Sequence, residues 1–285
     1  MGVKKIILSA DSSCDLGKEL KQKYNVHYAR FHILLDNKSF LDGVGFSNKN
    51  IFETYRQKKC LPKTSAIGVG EYYEYFKKWT DQGFEVIHIN ASSALSSTYQ
   101  NCCLAARNLD GVYPVDSKNL TTGMGLLVLE AAKCIEKGLS ASKIQNELTL
   151  LTSKVQTSFV LDTLEFLHAG GRCSALTAMG ANILKLRPCI DVNNTTGTMT
   201  VGKKYRGTLE KVWCQFANDK FSDVDDLNTE QLFITHTTSD TGSILSLYNY
   251  VKELRIFEHI YITEASCVIA SHCGPNTLGL MFLCK

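Results

Sequence analysis

The sequence predicts an α/β protein in two parts. The N-terminal part, residues 1–160, is expected to carry a mostly parallel α/β layer, and the C-terminal part, residues 161–285, an α+β arrangement with a mixed or antiparallel sheet. Three observations lead there. Short apolar runs alternate with amphipathic segments through the first half, the signature of strands joined by crossover helices. In the second half a hairpin pattern interrupts that alternation. The chain has 285 residues, 44% of them hydrophobic, so it can build more than one core.

The elements are expected in the following order. Residues 5–10 form a buried strand, followed by a short helix over 16–24. Residues 27–35 read as one strand, with 38–46 able to pair with it. Ser47 caps a helix running to Lys58, in which Ile51, Phe52 and Tyr55 share a face. Val69, Tyr72, Phe76 and Trp79 recur at helical spacing and read as a helix packed on a sheet. A strand over 84–89 leads through a hydroxyl-rich turn to a helix from Thr98 to Arg107. A strand at 112–115, an apolar helix at 125–135 and a helix at 141–154 close the first part.

After a strand at 157–161, the chain breaks at Gly170-Gly171-Arg172, and a helix is expected over 175–184. Residues 189–193 and 198–201 flank Asn194-Thr195-Thr196-Gly197 as an antiparallel hairpin. A helix follows Gly207. A strand over 232–235, a helix to Leu254, a strand over 259–263 and a strand over 267–272 are expected beyond it. Only 4 prolines occur and no Ser/Pro-rich linker separates the two parts, so they are expected to pack closely, with the ligand site between them.

Bulk charge excludes some functions. Lys and Arg total 31 against 28 Asp and Glu, and no basic run or basic-aromatic interleaving appears, so a nucleic-acid partner is not expected. No apolar run is long enough to span a bilayer, and Met1-Gly2-Val3-Lys4-Lys5 leads directly into a strand without a secretory apolar region. At most a transient contact with a membrane surface is expected. The 11 cysteines are odd in number and none form Cys-x-x-Cys, which fits a reducing cytoplasm and buried thiols better than disulfides or zinc.

The chemistry concentrates in Ser92-Ser93-Ala94-Leu95-Ser96-Ser97-Thr98, where five of seven residues carry a hydroxyl between a strand and a helix start. Such a turn offers free backbone N–H groups and hydroxyls to a small anion. Similar turns occur at Asp11-Ser12-Ser13, Lys63-Thr64-Ser65, Thr121-Thr122-Gly123 and Thr235-His236-Thr237-Thr238. In an open α/β sheet, ligands gather beyond the carboxyl ends of the strands. Asp11, Ser92, Ser93, Asp116, Thr121 and Thr235 are placed to line a shared cup there, although each can instead simply cap a helix.

Known site types are poorly matched. There is no Gly-x-x-x-x-Gly-Lys-Ser/Thr loop, no Gly-x-Ser-x-Gly elbow and no His-Glu-x-x-His. No metal is therefore expected. Gly123-Met124-Gly125 opens a helix as a dinucleotide loop would, but Val128 replaces the third glycine. Of the 7 histidines, only His272 stands in an unusual setting, ahead of Gly274-Pro275. Arg172, after two glycines, can bind an anion or a partner.

Taken in order, these segments resemble the DegV family: Asp11-Ser12-Ser13-Cys14-Asp15-Leu16, Lys63-Thr64-Ser65, Ser92 to Tyr99, Val115-Asp116-Ser117 with Thr121-x-Gly123-x-Gly125, Leu164-Glu165-Phe166-Leu167 through Gly170-Gly171-Arg172, Leu184-Lys185-Leu186-Arg187-Pro188, and His272-Cys273-Gly274-Pro275. The resemblance covers nearly the whole chain. It implies a two-domain fold holding one long-chain fatty acid between the domains, with no other cofactor. It further implies a cytoplasmic carrier without its own ATP site, which presents the acyl carboxylate to a separate ATP-binding kinase subunit for acyl phosphate formation in phospholipid metabolism.

By that resemblance the head group meets Thr64, Ser65, Ser93 and Ser96, with His272 nearby, and Arg172 faces the kinase. Ser12, Ser92, Thr121 and Gly123 are secondary candidates. Three departures from the family pattern stand out: Ser97 for a glycine, Ala66-Ile67-Gly68 for Gln-Pro-Ser, and Asn276 for a glycine. A lipid also makes physical sense. About fourteen methylenes at about 0.8 kcal/mol each give roughly 11 kcal/mol gross, so the tail can supply affinity while neutral hydroxyls orient the head. Two other readings stay open: a stand-alone enzyme using Ser93 or Ser96 with His272, and a sensor or carrier of another apolar acid.

Overall fold

The computed structural model describes residues 5–173, 186–222, 226–238 and 240–285. The helix expected over 175–184 and the start of the Leu184-Lys185 segment lie outside the described residues.

The first half builds a four-stranded parallel sheet in the order β2-β1-β6-β7. Its strands are β1 (Ile6–Asp11), β2 (His27–Ala29), β6 (Glu85–Asn90) and β7 (Val112–Asp116). Helices α1 (Gly17–Lys23), α3 (Val69–Thr80), α4 (Thr98–Ala106) and α6 (Ala141–Leu151) surround it. Tyr72 and Phe76 are fully buried on the inner stripe of α3, as helical spacing predicts.

Between β2 and β6 the chain leaves this sheet to make a small antiparallel one, β4-β3-β5, from β3 (His32–Leu35), β4 (Lys38–Leu41) and β5 (Lys63–Ser65). The single strand expected over 27–35 is thus two strands in different sheets. The break falls at Arg30-Phe31, where the Phe31 N–H leaves strand pairing and donates to Ser12 Oγ at 3.2 Å. Helix α2 (Asn48–Lys58) follows, with Ser47 at its N-cap and the Asn50 side chain accepting from the Ser47 N–H.

The remaining strands form a six-stranded sheet, β10-β9-β8-β13-β11-β12. They are β8 (Val155–Val160), β9 (Arg187–Val192), β10 (Met199–Tyr205), β11 (Leu227–His236), β12 (His259–Glu264) and β13 (Leu278–Cys284). All neighbours are antiparallel except β11 and β12, so this is a mixed sheet, and β9–β10 is the expected hairpin. β13, which the sequence reading missed, lies between β8 and β11. Helices α8 (Leu209–Ser222) and α9 (Thr241–Glu253) cover one face, burying Trp213, Phe216 and Leu247.

The central helix α5 (Thr121–Glu136) lies between the parallel and mixed sheets and is buried on most of its circumference. Its glycines serve packing. A Cβ at Gly123 would stand 2.1 Å from Asn119 Oδ1 and 2.4 Å from Thr157 Oγ1. That close approach accounts for a glycine here without any dinucleotide.

Residues 267–272 are not a strand. Cys267–Cys273 forms helix α10, with Ser266 Oγ accepting from the Ile269 N–H at its N-cap. A short apolar run with Val268 and Ile269 carries no decisive period, and the cap settles the matter. Helix α7 (Glu165–Gly170), also unforeseen, packs against α10.

Candidate ligand-binding site

Where the three sheets meet, the packing leaves a cavity of about 160 Å3. Phe31, Leu120, Phe159, Leu167, Met199 and Ile269 are among its apolar walls. Ser13, Thr64, Ser96, Ser97, Arg172 and His272 supply its polar lining. Leu120, Phe159, Ile269 and Cys273 separate it from a second small hollow of about 20 Å3 that reaches Thr237 and Met281. The hydroxyls of that hollow are already spent: Thr121 donates to Asp15 Oδ2 at 2.6 Å, Thr237 to the Gly274 carbonyl at 2.6 Å and Thr277 to the Cys273 carbonyl at 2.8 Å.

Thr64 and His272 meet although 208 positions separate them, with Thr64 Oγ1 and His272 Nε2 at 2.8 Å. Strand β5 presents Thr64 to the cavity. Period-two alternation turns Ser65 to the outer, exposed face, where it lies opposite His32. His272 Nδ1 is buried without a hydrogen-bond partner, and a Cβ at Gly170 would stand 2.3 Å from it. Burial first, then the Arg172 charge, depress the His272 pKa to about 4, so the ring is neutral at pH 7.

Gly171, at φ 65°, ends α7 in the left-handed region that a side chain resists. The turn brings Arg172 back over the cavity mouth. Its Nη1 donates to the Gly170 carbonyl at 2.6 Å and its Nε to the Leu95 carbonyl at 3.4 Å. The guanidinium therefore ties α7 to the serine loop, while the residue remains exposed.

Within the serine loop the hydroxyls divide by task. Ser96 lines the cavity. Ser93 does not reach the lining: its N–H donates to Asp116 Oδ1 at 3.1 Å and its hydroxyl accepts from Lys118 Nζ at 3.3 Å. Ser92 is fully buried and donates to the Gly197 carbonyl at 3.0 Å, docking the β9–β10 turn onto the loop. Ser12 faces another cleft and donates to Asp42 Oδ2 at 2.6 Å. Thr121 and Gly123 belong to the α5 packing described above. Two hydroxyls of the cavity, named in the sequence only as members of their turns, were not assigned to the head group: Ser97, and Ser13, whose hydroxyl faces Met124 Sδ at 3.7 Å.

The departures fit locally. Ser97 has φ −76°, a conformation that needs no glycine. Asn276 has φ 57°, which asparagine tolerates, and its amide donates to Asp162 Oδ2 at 3.0 Å. Ile67 is buried, and its carbonyl accepts from Asn101 Nδ2 at 2.8 Å, pinning the altered loop to α4.

Among the described residues no hydrogen bond joins His272 to Ser93 or Ser96, and no cluster of three or more metal-ligating side chains is found. No helix of the described residues is long and apolar enough to cross a membrane.

A polar rim over an apolar cavity, set between a parallel and a mixed sheet, has the form of a binding protein for an amphipathic ligand. The chain belongs to the DegV family: the profile described as "Uncharacterised protein, DegV family" matches residues 5–285. It is 29% identical over 281 residues to a DegV domain-containing protein of Clostridium perfringens, covering 98% of each chain. Among solved structures, a fatty-acid-binding DegV family protein from Thermus thermophilus is similar at TM-score 0.89 and 25% identity, covering 99% of this chain and 100% of that one. The fold is shared as well by the fatty acid kinase B3 protein of Streptococcus pneumoniae, loaded with linoleic acid, at TM-score 0.83 and 18% identity over 99% of this chain and 100% of that one.

Proposed function

We propose that this chain binds one long-chain fatty acid and presents its carboxylate to a separate ATP-binding kinase subunit. The observation that carries the reading is the Thr64–His272 pair at the rim of an apolar cavity, beneath Arg172. The fatty-acid-binding relative supports the ligand class, and the likeness to a fatty acid kinase protein is what suggests the partner.

The geometry suggests how the head group is held. His272 Nδ1 faces a glycine and finds no partner, and a bare lone pair there costs less than a stranded N–H. The proton therefore sits on Nε2, which donates to Thr64 Oγ1. The Thr64 hydroxyl is then free to donate to the carboxylate, and Ser96, which lines the same cavity, is a second donor. Ser65 and Ser93 act through the two loops they share with these groups. Neutral donors hold the carboxylate without the tight ion pair that would blunt it as a nucleophile. The partner supplies ATP and the charge stabilisation that phosphoryl transfer requires. Arg172, exposed above the mouth, is the contact offered to that partner.

Organic extraction of the purified protein, followed by mass spectrometry, is expected to yield a long-chain fatty acid. Recovery of none, together with no binding of added palmitate or oleate, would overturn the reading. Arg172→Ala is expected to keep lipid binding and to lose acyl phosphate formation with ATP and the kinase subunit. Turnover equal to that of the unaltered protein would remove Arg172 from the partner contact.

A further inference from the structure

Two residues outside the cavity lining, Asp11 and Tyr72, hold the two ends of the serine loop. Asp11, fully buried at the end of β1, accepts the Ala91 N–H on Oδ2 at 2.8 Å. Its Oδ1 accepts from the Tyr72 hydroxyl and from His88 Nε2, the latter at 3.0 Å. Tyr72 Oη in turn lies 2.6 Å from Thr98 Oγ1 and accepts from Asn90 Nδ2 at 3.0 Å. Proton counting fixes the direction. The single Tyr72 proton goes to the carboxylate, so the Thr98 hydroxyl donates to Tyr72. Ala91 and Thr98 are the residues on either side of 92–97. One carboxylate thus holds the loop at both ends, directly at one and through a phenol at the other.

We infer that Tyr72 is a positioning residue: its hydroxyl, relaying Thr98 to Asp11, sets the pitch of the serine loop and thereby the selectivity for a carboxylate head group. Tyr72 itself does not line the cavity, but Ser96 and Ser97 do, and Leu95 accepts from Arg172. The inference rests on the fatty-acid reading above. A merely structural role for the network would make every ligand bind worse alike. A positioning role changes the head-group term and leaves the tail term in place.

The test compares palmitate with 1-hexadecanol, which has the same tail length, by displacement of a fluorescent fatty acid. Tyr72→Phe keeps the ring and removes the relay. Thr98→Val breaks the same link from the other end, and carries the test if the first variant fails to fold. In either variant palmitate is expected to weaken about tenfold, the factor matching roughly one lost hydrogen bond, while hexadecanol changes by less than about twofold. The double variant is expected to be no weaker than the worse single one, because both cut one connection. Equal weakening of both ligands, or palmitate affinity unchanged, would overturn the inference. If the unaltered protein binds neither ligand, the fatty-acid reading fails and this inference with it. If that protein prefers palmitate and the variants keep the same preference, only the inference fails.

Discussion

At the residue scale, His272 shows how neighbours decide a side chain's state. A histidine ahead of a Gly-Pro turn could be read from the sequence, but its neutrality could not, because it depends on Gly170 and Arg172 closing over the ring. That state has a testable consequence. The folded pKa, about 4, lies below the usual 6.5, so as pH falls the unfolded chain takes up this proton first. The histidine's contribution is fully present above 6.5 and is lost as pH falls toward 4, by about 3 kcal/mol at the lower end. Urea denaturation of His272→Gln is therefore expected to lose less stability between pH 7 and pH 4.5 than the unaltered protein. Parallel curves for the two proteins would contradict it. Thr64 and Ser65 make the complementary point. The motif names both, and only the alternation of β5 separates the residue facing the cavity from the one facing out.

At the element scale, α10 is held by carboxylates from the other half of the chain. Asp15 Oδ1 accepts the Ser266 N–H at 2.9 Å and Asp42 Oδ1 accepts the Cys267 N–H at 3.0 Å. Both are buried, and burial pushes the Asp15 pKa up to about 8, with hydrogen bonds from Thr121 and Ser266 opposing it and the Asp42 charge adding to it. The sign is opposite to that of the histidine. A raised carboxyl contributes most below its ordinary value of 3.8, and its contribution is lost as pH rises toward 8. Asp15→Asn can keep both contacts, accepting from Ser266 and donating to Thr121. It is expected to flatten the decline in thermal stability between pH 5 and pH 8, measured by scanning calorimetry. An undiminished decline would exclude Asp15 as its source.

This clamp also explains why α10 was misread. In isolation Cys267–Cys273 is a short apolar run with β-branched residues, and what makes it a helix is the Ser266 cap and two acceptors more than two hundred positions away. The parallel strands β1, β6 and β7 were legible because their apolar runs are self-sufficient. β3 and β5 were not, since β3 continues the run of β2 and β5 spans only Lys63–Ser65.

At the scale of the whole molecule, the cavity is a hollow in the packing between sheets. Phe159, Leu167, Met199, Leu120 and Cys273 belong to one core cluster and also line it. A ligand that fills such a hollow completes the core and stabilises the fold by mass action. The thiols report on this. Cys14, Cys102, Cys173, Cys189, Cys267 and Cys273 are buried. Burial raises the Cys273 pKa to about 12, so its thiol is sluggish in the native protein. A small alkyl thiosulfonate, which forms a mixed disulfide with the thiol and releases sulfinate, is expected to label Cys273 slowly in lipid-free protein and more slowly with palmitate bound, as read by peptide mass spectrometry without reduction. Labelling unaffected by palmitate would mean that the tail does not occupy this cavity.

The place of β13 has a consequence for biosynthesis. It pairs with β8 on one side and β11 on the other, and those two strands do not pair with each other. Both are translated before it. A nascent chain therefore carries two unpaired strand edges until residues 278–284 emerge from the ribosome. During that interval both edges are open to pairing with another chain.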